Sequence, residues 1–136
     1  MREVEFRAWN GDEKKMYYQD NFHWFAISGQ GAWLMWEGID NNKRKIIAGC
    51  GKDEDAIMQF TTLRDKNGKK IYGEDLIRTY INLIFIVKFT MGAFWIEWIS
   101  KSESEDTALQ LLSAKNISYV VIGNRYENPE LLEAVK

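Results

Sequence analysis

The chain has 136 residues, of which 46% are hydrophobic and 28% are charged, and its formal net charge is −2. This composition is typical of a globular protein and excludes a disordered tail. A nearly neutral charge argues against a protein that binds the phosphate backbone of nucleic acid across its whole surface. The single cysteine, Cys50, cannot form an internal disulfide, which is typical of a reducing compartment.

The sequence contains no segment suited to export or to a membrane. Residues 1–5 (MREVE) lack an apolar signal region. The most apolar run, residues 83–87, ends at Lys88 and is far shorter than the roughly 20 residues of a membrane-spanning helix. We therefore expect a cytoplasmic protein that has no contact with the membrane.

The first half of the chain predicts β-hairpins. Charged and apolar side chains alternate over residues 3–8, the period-2 pattern of a half-buried strand. Residues 10–12 (NGD) accept the backbone angles of a tight turn, and residues 15–18 form the returning strand. Residues 22–27 and 32–36 predict a second hairpin around an SGQG turn.

The second hairpin is rich in aromatic residues that do not alternate. Phe22, Trp24 and Phe25 cannot all lie on one face of a strand, and the same holds for the apolar residues 33–36. Both faces must therefore be covered, either by another part of the chain or by a second subunit. A homo-oligomer is one way to meet this requirement.

The second half of the chain predicts an extended segment, a hairpin turn at residues 65–68 and then a series of strands. The Asn-Gly pair in that turn favours type I′. A capping box at residues 102–105 and an apolar stripe that ends at Leu112 predict a helix. Residues 128–130 (NPE) predict the start of a C-terminal helix. The predicted strands are residues 57–63, 76–81, 83–89, 94–99 and 117–125.

These elements indicate a mainly-β fold. The short strands from Phe60 to Tyr126 predict a small SH3-like barrel in the C-terminal half, accompanied by an N-terminal β-hairpin lobe and one short helix. No linker, repeat or low-complexity segment divides the chain. We therefore predict a single domain over residues 1–136, with an N-terminal lobe at 1–57 and a barrel lobe at 58–132.

No catalytic, metal or cofactor site is predicted. A nucleophile needs a base, and His23 and Cys50 are the single residues of their types, with no spacing that joins them. One histidine and one cysteine are too few for zinc, and the glycine of the 65–68 turn is misplaced for a calcium loop. Acidic residues 53–55 are typical of a solvated loop. The 20 Asp and Glu residues leave open a small enzyme that uses a carboxylate pair.

Aromatic and basic residues indicate a candidate interaction surface. Tryptophan is enriched in the cores of protein interfaces, whereas aromatic platforms beside a basic groove bind single-stranded nucleic acid. Basic residues also protect the edges of sheets, so a basic run is not in itself a sign of nucleic-acid binding. The acidic net charge therefore favours protein as the partner. The candidate surface consists of Trp24, Trp33, Trp36, Lys43, Arg44 and Lys45.

Three blocks of the sequence resemble the YopX family of bacteriophage and prophage proteins. They are residues 2–9 (REVEFRAW) with 15–17 (KMY), residues 58–72 (MQFTTLRDKNGKKIY) and residues 121–132 (VIGNRYENPELL). The blocks occur in the family's order and span the whole chain. The resemblance implies an SH3-like barrel. It carries over no site residue, because the family has no assigned activity or cofactor.

The sequence departs from the family pattern at two places. Thr62 stands where glycine is common, and residues 73–75 (GED) stand where Glu-Gly-Asp is more frequent. The second change moves the glycine by one residue, so the bend at the entrance to the barrel is not fixed by the resemblance.

The leading hypothesis is a non-catalytic phage accessory protein that acts inside the host cell by binding a phage or host protein. Binding of single-stranded nucleic acid through Trp33, Trp36 and the Lys43–Lys45 loop is the alternative. A small enzyme is the third hypothesis.

Overall fold

A computed structural model describes residues 4–20, 23–40, 43–79, 83–90, 93–98, 109–110 and 119–133. In these ranges the chain forms twelve strands and one short helix, which confirms the predicted mainly-β class. No helix in the described ranges is long and apolar enough to span a bilayer. The elements are β1 (Phe6–Asn10), β2 (Lys15–Tyr18), β3 (His23–Ile27), β4 (Trp33–Asp40), β5 (Lys43–Gly49), β6 (Ala56–Arg64), β7 (Lys70–Tyr72), β8 (Asp75–Thr79), β9 (Ile84–Thr90), β10 (Ala93–Trp98), β11 (Leu109–Gln110), β12 (Tyr119–Asn124) and α1 (Glu130–Glu133).

The chain divides into two compact units, Glu3–Gln59 and Phe60–Lys136, here called the N-terminal and C-terminal units. In the N-terminal unit, β1 pairs antiparallel with β2 and with the first residues of β6. A second sheet has the order β3-β4-β5 and is also antiparallel. Its core is an apolar cluster to which β1, β4 and β5 contribute, formed by Ala8, Trp33, Met35, Ile47 and Ala48.

The acidic turn between β5 and β6 joins parts of the N-terminal unit. Asp55 accepts hydrogen bonds from the backbone N–H of Gly11 at 2.8 Å and from that of Gly49 at 3.3 Å. A Cβ atom on Gly11 would lie 2.3 Å from the Cβ of Glu54, so this close approach requires glycine. The Asp55 carboxylate therefore connects two turns of the chain, which explains its position without a bound ion.

In the C-terminal unit a five-stranded antiparallel sheet has the order β11-β10-β9-β8-β12. Its inner side chains and Ile71 of β7 form the second apolar core: Ile71, Ile77, Phe85, Val87, Phe94, Ile96, Tyr119 and Val121. The closure of this sheet into an SH3-like barrel remains a prediction.

The helix predicted over residues 102–112 is wrong where the structure can test it. Leu109 and Gln110 form β11 and pair with Ile96 and Trp95 on β10. Ladder hydrogen bonds at this sheet edge outweigh the local helix preference of the two residues. The other residues of the predicted helix lie outside the described ranges. The predicted C-terminal helix start is confirmed by α1, which begins at Glu130.

The turn at residues 65–68 is held by a buried carboxylate. Asp65 is 7% exposed and accepts backbone N–H groups from Asn67 and Lys69, both at 2.9 Å, and from Val121 at 3.0 Å. The N–H of Gly68 donates to the Asp65 carbonyl at 3.0 Å, and Gly68 alone in the turn has positive φ, +85°. This is a type I turn followed by a left-handed glycine. The predicted type I′ turn, which needs positive φ at both central residues, is wrong.

Both departures from the YopX pattern fall on strained backbone. Thr62 has a φ of +73° and Glu74 a φ of +71°, in the left-handed region that favours glycine. Glu74 is held there by its neighbours: its N–H donates to the Val87 carbonyl at 2.7 Å, and its carboxylate binds Lys88 at 2.9 Å. Thr62 lies at an irregularity in the pairing of β6 with β7. The family's glycines would relax both positions.

Replacement of Thr62 by glycine is expected to stabilise the protein. Left-handed backbone at a residue with a side chain costs about 1–2 kcal/mol, while glycine adds about 0.5–1 kcal/mol of chain entropy to the cost of folding. The net gain of Thr62→Gly is therefore about 0.5–1 kcal/mol, measured as a higher urea midpoint. Thr62→Ala is the control, because it retains the Cβ atom and should gain less. An alanine variant as stable as the glycine variant would contradict backbone strain as the cause.

Asp65→Asn is expected to destabilise the protein by about 2 kcal/mol. An asparagine can accept hydrogen bonds with one atom only, so its amide would place a donor against the part-buried N–H of Asn67 or Lys69 or the buried N–H of Val121. Asp53→Asn, in an exposed turn, is the control and should change the free energy of unfolding by less than about 0.5 kcal/mol.

The same carboxylate predicts a loss of stability in acid. Burial raises the pKa of Asp65, but three backbone N–H groups and the charge of Lys69 outweigh burial, so the pKa lies below its usual 3.8. The stabilisation is therefore complete above the unfolded-state pKa and is lost as pH falls through the lower folded-state pKa. Urea unfolding at pH 6 and below pH 3.8 measures this loss. Equal acid sensitivity of wild type and Asp65→Asn would contradict it.

Candidate interaction surface

The candidate residues predicted from the sequence lie on the sheet β3-β4-β5 of the N-terminal unit. In the hairpin β3–β4, Trp24 pairs with Trp36 and Phe25 pairs with Met35. Because directly paired residues share a face and successive residues alternate, this register fixes two opposite faces. We call the face that carries Trp24 and Trp36 the outer face, and the face that carries Phe25 and Met35 the inner face.

The inner face is covered within the N-terminal unit around Trp33 and Met35, whereas Ile27 on the same face is 47% exposed. Trp33 and Met35 pack with Ala8 of β1 in the apolar cluster, and Phe25 packs against the same cluster. The ring of Phe25 lies 5.9 Å from that of Phe6, measured between centroids. Trp33 is only 9% exposed. It therefore belongs to the core of the unit and offers little surface to a partner.

The outer face leaves large apolar side chains in solvent. Trp24 is 42% exposed, Leu34 is 37% exposed and Ile46 is 64% exposed, while Trp36 is half-buried. Trp36 is paired with Trp24 on one side and with Ile46 on the other. The four side chains therefore form a contiguous apolar stripe across three strands, with Trp36 at its centre.

An irregularity in β5 brings Ile46 to this face. The pairing shifts between Met35, whose partner is Ala48, and Trp36, whose partner is Ile46. Ile47 is the extra residue of this β-bulge and is 6% exposed. The sequence analysis did not include Leu34 or Ile46 in the surface. Their exposure follows from strand register and from the bulge, which a single sequence does not reveal.

Glycine at position 38 makes room for the Trp24 ring. A Cβ atom added to Gly38 would lie 3.1 Å from Cζ3 of Trp24, which is tighter than an ordinary contact. The indole of Trp24 therefore lies along the outer face, over the backbone of β4. The backbone of Arg44 pairs with Gly38, so the start of β5 runs beside this ring. The side chains of Lys43 and Arg44 lie outside the described part of the chain.

Lys45 lies on the other face from the exposed tryptophan. It is exposed and pairs with Glu37, which in turn pairs with His23. Opposite charges that face each other across two strands stabilise the pairing of those strands. The structure thus brings Trp24 and Trp36 together on the outer face, and it places Trp33 and Lys45 on the inner one.

A groove lies at the tip of the hairpin. It has a volume of about 340 Å³, and the hydroxyl of Ser28 shapes the turn beside it by accepting the N–H of Ala32 at 3.2 Å. Gly31 has a φ of +86°, which the turn requires. No side chain in the lining titrates, so the groove has the character of an apolar contact surface. The lining residues are Ala26, Ile27, Ser28, Ala32, Trp33 and Leu34.

His23 is enclosed by two carboxylates and a phenol ring. Its Nδ1 lies 2.8 Å from Oδ1 of Asp20, and its Nε2 lies 3.6 Å from Oε1 of Glu37. The centroid of the Tyr17 ring is 5.4 Å from that of the imidazole. Burial, followed by the hydrogen bond from its hydroxyl to Glu13, raises the pKa of Tyr17. These contacts are those of a structural histidine that fixes the start of β3.

The residues of a conceivable nucleophilic pair are far apart. The N–H of Cys50 donates to the carbonyl of Trp33 at one end of β4, whereas His23 pairs with Glu37 near the other end. Four residues of a strand span about 13 Å, so a hydrogen bond between the thiol and the imidazole is excluded in this structure. In the described ranges, no group of three or more His, Cys, Asp or Glu side chains could hold a metal ion.

Comparison with known proteins gives a consistent result. The family model described as YopX protein matches residues 5–133. The SPbeta prophage-derived uncharacterized protein YopX of Bacillus subtilis (strain 168) is 26% identical, over 96% of this chain and 97% of that protein.

Two solved structures share the fold. The X-ray crystal structure of protein yopX from Bacillus subtilis has a TM-score of 0.70 at 23% identity and covers 96% of this chain and 98% of its own. The crystal structure of protein EF1440 from Enterococcus faecalis has a TM-score of 0.61 at 24% identity, with coverages of 97% and 99%. Since the family model spans nearly the whole chain, and the predicted strands and turns lie within that span, this protein belongs to the YopX family.

Proposed function

We propose that this chain is a non-catalytic accessory protein of a phage or prophage, and that it acts by binding another protein through the outer face of β3-β4-β5. One observation carries the proposal. Trp24, Leu34 and Ile46 expose 37–64% of their surface on a single face, although the N-terminal unit has an apolar core of its own. A contiguous apolar patch of this kind is typical of a protein interface.

The arrangement of the patch suits binding of a protein. Tryptophan and large aliphatic side chains contribute most when they become fully desolvated at the centre of an interface. Burial of apolar surface stabilises a complex by roughly 25 cal/mol per Å² before the costs of association are subtracted. Trp24 is already ordered by its seat over Gly38, so it loses less side-chain entropy on binding than a free indole would.

The absence of catalysis belongs to the same proposal. His23 is engaged by Asp20, Cys50 lies at the far end of β4, and no titratable side chain lines the hairpin groove. A small enzyme with a carboxylate pair would need acidic groups that converge in a cleft. The acidic side chains near the candidate surface, Asp20 and Glu37, instead flank a histidine.

Single-stranded nucleic acid is the alternative ligand. An exposed indole can stack on a base, and the basic start of β5 runs beside Trp24, because Arg44 pairs with Gly38. The placement of the other residues favours protein. Trp33 is buried in the core, and Lys45 lies on the opposite face beside Glu37.

The proposal predicts that one charge on the outer face abolishes capture of the partner. Tagged wild-type protein and Ile46→Asp, whose parent side chain is 64% exposed, are compared by affinity capture from cells that carry the gene. A protein that binds the outer face should lose affinity by roughly tenfold or more. Phe89→Asp is the matched control, because Phe89 is 56% exposed but lies in the C-terminal unit. A capture profile unchanged by Ile46→Asp would refute the outer face as the binding site.

The nucleic-acid alternative is separated by two measurements on the same protein. Nuclease treatment before capture should leave the captured protein in place. Titration with a single-stranded oligonucleotide at low salt should leave the tryptophan fluorescence unchanged. Salt-sensitive quenching that is reduced in Trp24→Leu would establish the alternative in place of the proposal.

A further inference from the structure

The hairpin β3–β4 presents an open backbone edge. Among the described residues β3 ends its sheet, because the order is β3-β4-β5 and β4 is the neighbour of β3. The N–H of Ser28 donates to the carbonyl of Ala32 at 2.8 Å, which fixes the phase of the hydrogen bonds along the hairpin. Hydrogen-bonded and non-bonded pairs alternate from there, so the N–H and C=O groups of Phe25 and Ile27 point away from β4.

The sequence of β3 lacks the usual protection of an edge. Proteins protect edge strands with charged residues, proline or bulges. Residues 21–36 contain no Asp, Glu, Lys, Arg or Pro, and the pairing of β3 with β4 has no register shift. The strand at the other end of the sheet, β5, begins with three basic residues, and the edge strand β2 begins with Lys15. The edge of β3 is therefore the one suited to pair with an uncharged strand.

We propose that β3 pairs antiparallel with β3 of a second copy of this chain, across a two-fold axis at Phe25. Each Phe25 then exchanges both of its outward hydrogen bonds with its counterpart, and each Ile27 N–H donates to the His23 carbonyl of the other copy. The His23 N–H already donates to Oδ1 of Asp20 at 3.0 Å, so in this register the carbonyl of Ile27, a residue that is 47% exposed, is left to solvent.

The side chains and the charge of β3 fit this register. Trp24 lies opposite Ala26 of the second copy, and the small methyl group leaves room for the indole. The two Phe25 rings form a cross-strand aromatic pair. No like charges face each other, because residues 21–36 contain no Asp, Glu, Lys or Arg and His23 lies opposite Ile27 of the other copy. A two-fold axis uses each β3 edge once, so the association closes at a dimer instead of growing into a fibre.

This inference goes beyond the proposed function, because it concerns the backbone edge of β3 and not the side chains of the outer face. The two are compatible. Pairing at the edge joins two three-stranded sheets into one of six strands, with both copies of Trp24 on the same face. A partner of the outer face would then meet a doubled surface.

Light scattering and amide hydrogen exchange on the full wild-type chain test the pairing. The expected mass at micromolar concentration is twice the 16.0 kDa of the chain. The amides of Phe25 and Ile27 should exchange slowly, and their protection should fall on dilution. A monomer at micromolar concentration, a larger open-ended assembly, or rapid exchange of both amides within a dimer would each overturn the inference.

Two substitutions at one position provide a matched pair. Ile27→Pro removes the outward N–H of Ile27 and places a ring at the edge, which an edge strand tolerates. The dimer dissociation constant should rise by roughly tenfold or more, because each copy loses one backbone hydrogen bond. Ile27→Thr retains the N–H and the β-branched shape, and should dimerise like the wild type. A proline variant that folds, as judged by circular dichroism, and dimerises with wild-type affinity would overturn the inference.

The outcomes separate this inference from the proposed function. Ile46→Asp should dimerise normally while it loses the captured protein, and Ile27→Pro should lose the dimer. If Ile27→Pro does not fold, the exchange of the Phe25 and Ile27 amides in the wild type decides the matter. Loss of dimer in Ile46→Asp would place the contact between copies on the outer face and overturn the pairing of β3.

Discussion

The alternation of side chains along β4 is the constraint on which the rest of the N-terminal unit depends. Trp33 and Met35 must point to one face of the sheet and Leu34 and Trp36 to the other. The unit buries Trp33 and Met35 against Ala8, so the remaining two side chains are turned toward solvent, whatever their hydrophobicity. The apolar outer face is therefore the geometric consequence of a core made from residues 33–36 of β4, a stretch in which every residue is apolar.

A different constraint organises the C-terminal unit. There the backbone adopts left-handed conformations that are sterically unfavourable for residues with a side chain, and contacts with neighbouring groups stabilise them. Glu74 is fixed in left-handed backbone by two hydrogen bonds of its main chain and by Lys88. The Asp65 carboxylate joins its own turn to Val121, which is distant in sequence. Turns of this unit are thus specified by polar contacts inside the fold, at a cost in local strain of order 1–3 kcal/mol for each strained residue.

The sequence predicted what depends on neighbouring residues along the chain. The turn at 28–31, most of the strands and the C-terminal helix follow from local patterns, and the structure contains them. The first hairpin turn spans residues 11–14 with positive φ at Lys14, and the loop predicted at Lys43–Lys45 is wrong, because these residues begin β5. The geometry of the 65–68 turn was missed, because the side chain of Asp65 bonds a distant residue as well as its own turn. Leu109 and Gln110 were predicted as helix because their pairing with β10 is invisible in local sequence.

The candidate site shows the same division. The lack of alternation at residues 22–27 and 33–36 indicated apolar side chains on both faces of the hairpin, but only register decides which of them are exposed. Trp24 and Trp36 share a face because they are paired directly across β3 and β4. Trp33 lies an odd number of residues from Trp36 along β4, so its side chain points to the opposite face and into the core. Ile46 joined the surface through the bulge at Ile47, a feature that one sequence cannot disclose.

The combination of an exposed face with an unprotected edge argues that the hairpin β3–β4 serves recognition. An edge strand with apolar neighbours exposes a protein to aggregation, and a lysine within β3 would be a simple remedy. Ala26 is exposed on the outer face, so a lysine there would disturb no core contact. Charges are instead placed everywhere around the hairpin: on Asp20 and Glu37 at its open end, and on β5 beyond it. An uncharged edge in a chain with 28% charged residues is explained if the edge and the face beside it are covered in the working state of the protein.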